Sequence, residues 1–419
     1  MKKVKKSKRT HLKALACLGV SCLLWAAPAS ALVQDITAVF RPDASKPDEN
    51  TFTNTTPVTG YCQMAPGQCA DNKTFSIRLP VSAQSSGPLM AKPADPRQGA
   101  YWKAPAQWRS VTVVNMFGEE ETVELRISGI GSRHQFDRHV AELVGGGVSA
   151  LQGHQRLWVG SSWVNPPSPC RYSGVGFYGD FTYQFLWKTP VEEGCAKIPN
   201  YPIPDMRYEY LDIAYELRTP NPLTMSTGVY SGVLNFGIGP HQDFDFGDVM
   251  LPNDSQLMLS FTLDVQHILK VDLPPGGERV ELLPQGGWQA WLQHGRPPAR
   301  LLRDQTVRLT ASSRFKMLLE CSVIAGNTCG LKNGAGEQVP VQVAVTLPSG
   351  LSDGAGQSVN KRPLRLDGSG TELFQPSSYV DNRPAVLHFE VAKDDVGTML
   401  SHPGSTYSGG VTVVWDSEV

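Results

Sequence analysis

Apolar residues alternate with polar ones in short runs along most of the chain, the period-two signature of half-buried β-strands. The clearest run is the last, with Tyr407, Val411, Val413 and Trp415 on one face, broken only by Gly409-Gly410. An earlier run, Gly228-Val229-Tyr230-Ser231-Gly232-Val233-Leu234-Asn235-Phe236, repeats the same Tyr-Ser-Gly followed by alternation. That copy leads into a further strand with Leu257, Leu259, Phe261, Leu263 and Val265 on one face, whereas only four residues follow Trp415. Two β-domains sharing a late strand are therefore expected, and only the first is given the strand after it. The second is expected to keep an open edge. An apolar edge without a partner is an aggregation hazard, so it implies a partner that supplies the strand by β-augmentation. Asp416, Ser417, Glu418 and Val419 are too few and too polar to fill that groove.

Other strand candidates lie at 32–40, 75–79, 110–114, 122–127, 211–217, 315–321, 339–347 and 387–391. The 40 Gly and 32 Pro residues punctuate these runs, which makes the pattern all-β. Between 132 and 151 the alternation weakens, and the spacing of Phe136, Val140 and Leu143 predicts a short helix. Residues 155–200 are the most aromatic part of the chain; within them Phe181, Tyr183, Phe185 and Trp187 alternate and are expected in the core, as is Trp158. The run Asp272-Leu273-Pro274-Pro275-Gly276-Gly277 interrupts the preceding strand and is the expected linker, dividing the chain into domains at 32–271 and 272–419. Both are expected to be immunoglobulin-like β-sandwiches, the second lacking one strand.

Residues 1–31 have the form of a cleaved secretion signal. Lys2, Lys3, Lys5, Lys6, Lys8, Arg9 and Lys13 precede an apolar run over 14–27, and Ala29-Ser30-Ala31 is a small-x-small cleavage site. The apolar run is shorter than the roughly 20 residues a membrane-spanning helix needs. Without the signal, 31 basic residues face 39 acidic ones, a formal charge of −8. No basic track for phosphates remains, so nucleic acid is not an expected partner. Cys17 and Cys22 leave with the signal, and the six that remain in an exported chain are expected to form three disulfides. Sequence neighbours give the simplest of the 15 possible pairings: Cys62–Cys69, Cys170–Cys195 and Cys321–Cys329. A zinc site is disfavoured because no Cys-x-x-Cys occurs and no His sits at finger spacing.

Several stretches together resemble the two-domain tip adhesins of chaperone–usher fimbriae. Ile36-Thr37-Ala38-Val39-Phe40-Arg41-Pro42-Asp43 is similar to such an adhesin's first strand. Pro169-Cys170-Arg171-Tyr172-Ser173-Gly174, with Phe185-Leu186-Trp187 and Cys195, is similar to the disulfide-bounded segment of its receptor-binding domain. Gly237-Ile238-Gly239-Pro240, with Asp243-Phe244-Asp245-Phe246-Gly247, resembles the end of that domain, and the run from Tyr407 to Trp415 resembles the pilin-type strand recognised by the periplasmic chaperone. The resemblance implies an N-terminal adhesive domain, a C-terminal pilin domain without its seventh strand, and no N-terminal donor extension. It implies as partners a periplasmic fimbrial chaperone, an outer-membrane usher, the next pilus subunit as strand donor, and a host or surface receptor such as a glycan. Export through the periplasm to the fimbrial tip at the cell surface follows. Tyr407, Val411, Val413 and Trp415 would line the groove that takes the donated strand.

A sugar-binding first domain would present exposed aromatics for stacking beside fixed polar groups. The candidates are Trp163, Arg171, Tyr172, Tyr178 and Asp180, on loops around Cys170, with Arg171 suited to a sialic or uronic carboxylate. Enzyme chemistry finds little footing. His134 and His139 lie five apart, off the spacing of a helical metal pair, and are expected at the surface. Asp243, Asp245 and Asp248 lack the closing Glu of a calcium loop, and Ser231 lacks a Gly-x-Ser-x-Gly elbow. No cofactor or metal is called for. The alternatives are a minor pilin or assembly initiator without a receptor, and a secreted carbohydrate-active enzyme with a β-sandwich appendage.

Overall fold

The computed structural model describes residues 32–174 and 176–417. The expected signal segment with Cys17 and Cys22 lies outside the described residues. The chain is all-β, with curled, mostly antiparallel sheets and a few short helices, and it has two separate large hydrophobic cores.

The first core is built on the 17-residue strand Glu120–Phe136. Its inward residues Val123, Leu125, Ile127 and Ile130 are buried, each stabilising by about 1.5–3 kcal/mol. One strand of this length serves four neighbours in turn: Arg109–Val114, Leu211–Arg218, Thr182–Lys188 and Met206–Tyr208. Gly129 and Gly131 allow the crowding at the middle of this handover. A Cβ on Gly131 would collide with the Phe185 carbonyl oxygen, and one on Gly129 would lie 3.0 Å from the Trp187 carbonyl oxygen. The expected helix through Phe136 does not form, because residues 132–136 continue this strand against Thr182–Lys188. Helices begin only afterwards, at Val140–Leu143 and Ala150–Leu157, the latter started by a Ser149–Gln152 capping box.

The edge of this unit is closed by threading. Gly228–Gly237 pairs with Gln256–Val265, and Gln256–Val265 pairs in parallel with Leu32–Phe40 from Leu32↔Leu257 to Phe40↔Val265. The first strand and the late strand are thus joined through one intervening strand, and Leu257, Leu259, Phe261, Leu263 and Val265 are all buried.

The second core lies between a sheet ordered Leu269–Asp272, Leu301–Ala311, Val380–Val391, Gln338–Thr346, Thr328–Lys332, Ile324–Ala325 and a two-stranded sheet of Lys316–Cys321 with Val411–Asp416. The chain passes from one core to the other at residues 266–268, since Leu269–Asp272 already pairs with Leu301–Ala311. The Pro/Gly run at 272–277, expected to be the linker, instead follows the first strand of the second sheet. Between the two cores His267 donates from Nε2 to the Met225 carbonyl (3.0 Å) and lies 3.1 Å by Nδ1 from Ser312 Oγ. Arg314 Nη2 reaches Ser226 Oγ (3.4 Å), which in turn donates to Glu119.

The three disulfides are Cys62–Cys69, Cys170–Cys195 and Cys321–Cys329, with Cα separations of 5.5, 5.9 and 5.2 Å. All three neighbour pairings hold.

One buried charge is costly. Lys197 is fully buried and its Nζ donates to the Asn165 carbonyl at 2.6 Å, with burial pushing its pKa down to about 8. The unfolded chain therefore binds the extra proton between about pH 8 and 10.5, so stability rises with pH across that window and the penalty is present in full below it. We expect Lys197→Met to raise the unfolding free energy at pH 7 by about 2 kcal/mol. Urea unfolding at pH 7 and pH 9.5 checks this: the gain should shrink at the higher pH, and a pH-independent effect would contradict it.

Candidate functional site

Two features of the surface stand apart from ordinary packing. The first is an aromatic edge. Thr182–Lys188 pairs with Glu120–Phe136 along one side, and on its other side it takes two short strands, Arg171–Tyr172 and Phe177–Tyr178. Tyr172 (59% exposed), Phe177 (40%), Tyr178 (51%) and Phe181 (43%) all reach solvent here.

The edge rests on a rigid support. The segment from Tyr61 to Asp71 folds as two short helices bridged by Cys62–Cys69, and Tyr61, Cys62, Ala65 and Cys69 form a small core with Leu186 beneath the edge. From this support Gln68 Nε2 and Asn72 Nδ2 donate to the Ser173 carbonyl at 3.0 and 3.1 Å. Ser173 Oγ donates onward to the Leu186 carbonyl, and Lys188 Nζ donates to Asn72 Oδ1 at 2.6 Å. A Cβ on Gly174 (φ +140°) would collide with the Gln68 side chain, so the loop needs glycine there.

The five sequence candidates do not form one cluster. Arg171 and Tyr172 lie opposite Lys188 and Trp187, while Tyr178 lies opposite Tyr183, about 13 Å along the strand. Asp180 is in the turn beyond Tyr178, exposed, with its carboxylate 3.3 Å from His139 Nε2. Trp163 is excluded from the surface: it is wholly buried, stacked on Trp187 with ring centroids 5.0 Å apart and edge-on to Trp158 at 5.2 Å. It is a core residue. Phe181 errs in the opposite direction, because it precedes the Thr182–Lys188 strand and its ring meets His139 rather than the core. Phe177, not singled out from the sequence, belongs to the edge; its only signal was its place in the glycine-rich turn before the strand.

The histidines also differ from expectation. His139 is half-exposed, but His134 is completely buried, because Ser132, His134 and Phe136 share the inward face of their strand. Burial holds its pKa well below the ordinary imidazole value, and nearby His154 adds to this. The Asp243–Asp248 segment is occupied by arginines: Arg97 binds Asp245 and Asp248, each at 2.7 Å, and Arg109 contacts Asp243 at 3.3 Å. Among the described residues no cluster of three or more His, Cys, Asp or Glu could hold a metal ion.

The second feature is the outer side of Val411–Asp416. Its register with Lys316–Cys321 sets Cys321 against Val411, Leu319 against Val413 and Met317 against Trp415, so each pair shares a face. Yet Met317 and Leu319 are 0% and 3% exposed, while Val411, Val413 and Trp415 are only partly buried against the same core. Among the described residues no strand pairs with the far side of Val411–Asp416. Tyr407 stands outside this row. Ser408 bridges to Lys332, and the chain turns at Gly409-Gly410, where a Cβ on Gly409 would collide with the Gly330 carbonyl, before pairing with Cys321.

Neither the protein-family models nor the curated proteins contain a match to this chain. Among solved structures it is similar to a chain of the chaperone–tip adhesin complex of CFA/I fimbriae, at 10% identity over 93% of this chain and 97% of that one, with a TM-score of 0.23. A second similarity is to a chain of the CsuC–CsuE chaperone–tip adhesion subunit pre-assembly complex from archaic chaperone–usher Csu pili of Acinetobacter baumannii, at 9% identity over 93% and 99%, with a TM-score of 0.21. TM-scores this low leave the functional reading to the molecule's own geometry.

Burial separates the two kinds of aromatic by experiment. Trp163→Ala should cost about 3–5 kcal/mol of unfolding free energy, whereas Tyr172→Ala and Phe177→Ala should stay within about 0.5 kcal/mol of the parent. Chemical denaturation of the three variants checks the assignment, and a large loss at Tyr172 would move it from the surface to the core.

Proposed function

We propose that the chain is a non-enzymatic tip adhesin of chaperone–usher fimbriae. The observation that carries this reading is the unequal burial of residues in register, Met317 and Leu319 covered and Trp415 and Val413 half-covered. The far side of Lys316–Cys321 is met by residues 371–374, through the Phe315–Phe374 bridge and the Met317 N–H donating to the Thr371 carbonyl, whereas among the described residues no strand pairs with the far side of Val411–Asp416. In the first unit the equivalent place is filled by Gln256–Val265, which joins Gly228–Gly237 to Leu32–Phe40. A strand supplied in trans would do the same for the second unit, bonding its backbone along Val411–Asp416 and laying alternate apolar side chains over Val411, Val413 and Trp415.

On this reading the periplasmic chaperone gives that strand first and the next pilus subunit gives it later, with passage through the outer-membrane usher to the cell surface between the two. The first unit then carries the receptor function on the aromatic edge. Tyr172, Phe177, Tyr178 and Phe181 offer flat apolar faces suited to pyranose rings, with Arg171 and Asp180 at the two ends for hydroxyl or carboxylate groups. Ring stacking over a fixed support, rather than chemistry on a bound substrate, is what these groups are equipped to do.

The test is periplasmic yield of the chain alone, with a fimbrial chaperone, and with a pilin donor peptide fused after Val419. Yield and the unfolding midpoint should both rise when either strand source is present, and a chain that folds equally well alone would sink the reading. A glycan and surface-receptor screen with the chaperone-bound chain then addresses the edge. Tyr172→Ala and Tyr178→Ala should each lower affinity at least tenfold without changing yield, and full binding by both would discard the site.

A further inference from the structure

Beneath the aromatic edge lies a pair of buried histidines that the proposed function does not use. His134, on Glu120–Phe136, is surrounded by rings: Phe136, His154, Trp158, Trp163 and Tyr183, with centroids 4.7–6.0 Å away. Neither of its nitrogens has a hydrogen-bond partner. His154, on the helix Ala150–Leu157, is equally buried, and its Nε2 lies 2.9 Å from the Gly179 carbonyl. A carbonyl only accepts, so Nε2 carries the proton and Nδ1, which has no partner, is bare.

Gly179 opens the turn between Phe177–Tyr178 and Thr182–Lys188, immediately after Tyr178 and before Asp180. The Tyr178 ring itself is 6.4 Å from both His154 and Tyr183. One hydrogen bond from a neutral imidazole therefore ties the helix to the turn that presents half of the edge.

We propose that His134 and His154 form an acid-sensitive latch that holds the 177–182 turn at neutral pH and releases it on protonation, so that acid loosens the aromatic edge. This rests on the edge being the binding surface only for its consequence, not for its mechanism. A proton added at His154 Nδ1 is a buried donor without an acceptor, and one added to His134 leaves that ring with two such donors, each a costly state. The two rings are 5.9 Å apart, so charging both adds repulsion.

The groups packed around the pair do not offset this. From its own strand Arg133 and Gln135 turn outward to Glu209 and Arg207. The paired strand Met206–Tyr208 brings Tyr208, and Thr182–Lys188 brings Tyr183, both buried phenols with pKa pushed up. Segment 158–165 brings Trp158, Trp163 and Ser162, and the helix brings exposed Arg156. The Gly179 and Thr182 backbone and Asp180 favour a charge on His154 and His139 opposes it, with Asp180 and His139 paired to each other at the surface. Burial dominates, and both buried rings are shifted to lower pKa. The unfolded or released state thus binds more protons below the ordinary value near 6.5, and the latched state loses ground as pH falls through it.

Hydrogen exchange on the full chain tests the latch without any ligand. Corrected for intrinsic exchange, protection of amides 177–183 should fall by about tenfold per titrating histidine from pH 7.5 to 5.5, while the Lys316–Cys321 strand keeps its protection. His154→Gln, which keeps an amide donor for Gly179, should lose roughly half of the response on a logarithmic scale, and His134→Phe combined with it should abolish the rest. If the double variant does not fold, tryptophan fluorescence of the parent decides, since Trp158 and Trp163 pack on His134: a transition below pH 6.5 that His154→Gln weakens supports the latch. Equal protection at both pH values, or a response undiminished in the variants, overturns it. Loss of receptor binding at pH 5.5 with unchanged exchange also overturns the latch while leaving the binding surface standing; absence of any ligand at neutral pH removes the surface while leaving the exchange result to judge the latch.

Discussion

A β-strand with one covered face and one free edge has two unmet demands: its backbone amides and carbonyls need partners, and its inward side chains need a neighbour on both sides. The two halves of this chain answer those demands differently. In the first, Gln256–Val265 inserts between Gly228–Gly237 and Leu32–Phe40 and its five inward side chains complete the core. In the second, Val411–Asp416 has Lys316–Cys321 on one side, and its apolar row is left half-covered. The contrast lies within one molecule, so the first half serves as the reference for reading the second.

The aromatic edge depends on a different constraint, the need to hold exposed rings still without burying them. Strand pairing to Thr182–Lys188 fixes their backbone, and the disulfide-bridged helices at 61–71 fix the intervening loop through the Ser173 carbonyl. Beneath lies an unusually aromatic layer of Trp158, Trp163, Phe185, Trp187 and Tyr208. Polar groups caught in or beside that layer are held neutral or tied to a single partner, as His134, His154 and Lys197 are, because a low-polarity setting penalises the charged form. Support for the surface and sensitivity to protonation thus come from the same packing.

Much of the strand content was legible from alternation. Leu32–Phe40, Gly228–Gly237 and Gln256–Val265 follow their period-two runs, and the cysteine spacing anticipated all three disulfides. Alternation failed where a strand ended or changed partner. Phe181 continued the pattern of Tyr183 and Phe185 but fell outside the strand, and His134, expected at the surface, is buried. Trp163, set between Gly160-Ser161-Ser162 and the prolines at 166, 167 and 169, gave no periodicity to read, and only the folded sheet brings Trp187 over it.

The sequence by itself determined which residues alternate, where the chain turns, which cysteines are close enough to pair, and that the last strand has an apolar row. These are local properties, set by the two-residue period of a strand and by short loop closure. Tertiary structure alone decided which aromatics face water and which histidines are denied it. Burial is a sum over partners distant in the chain, and no local pattern carries that sum.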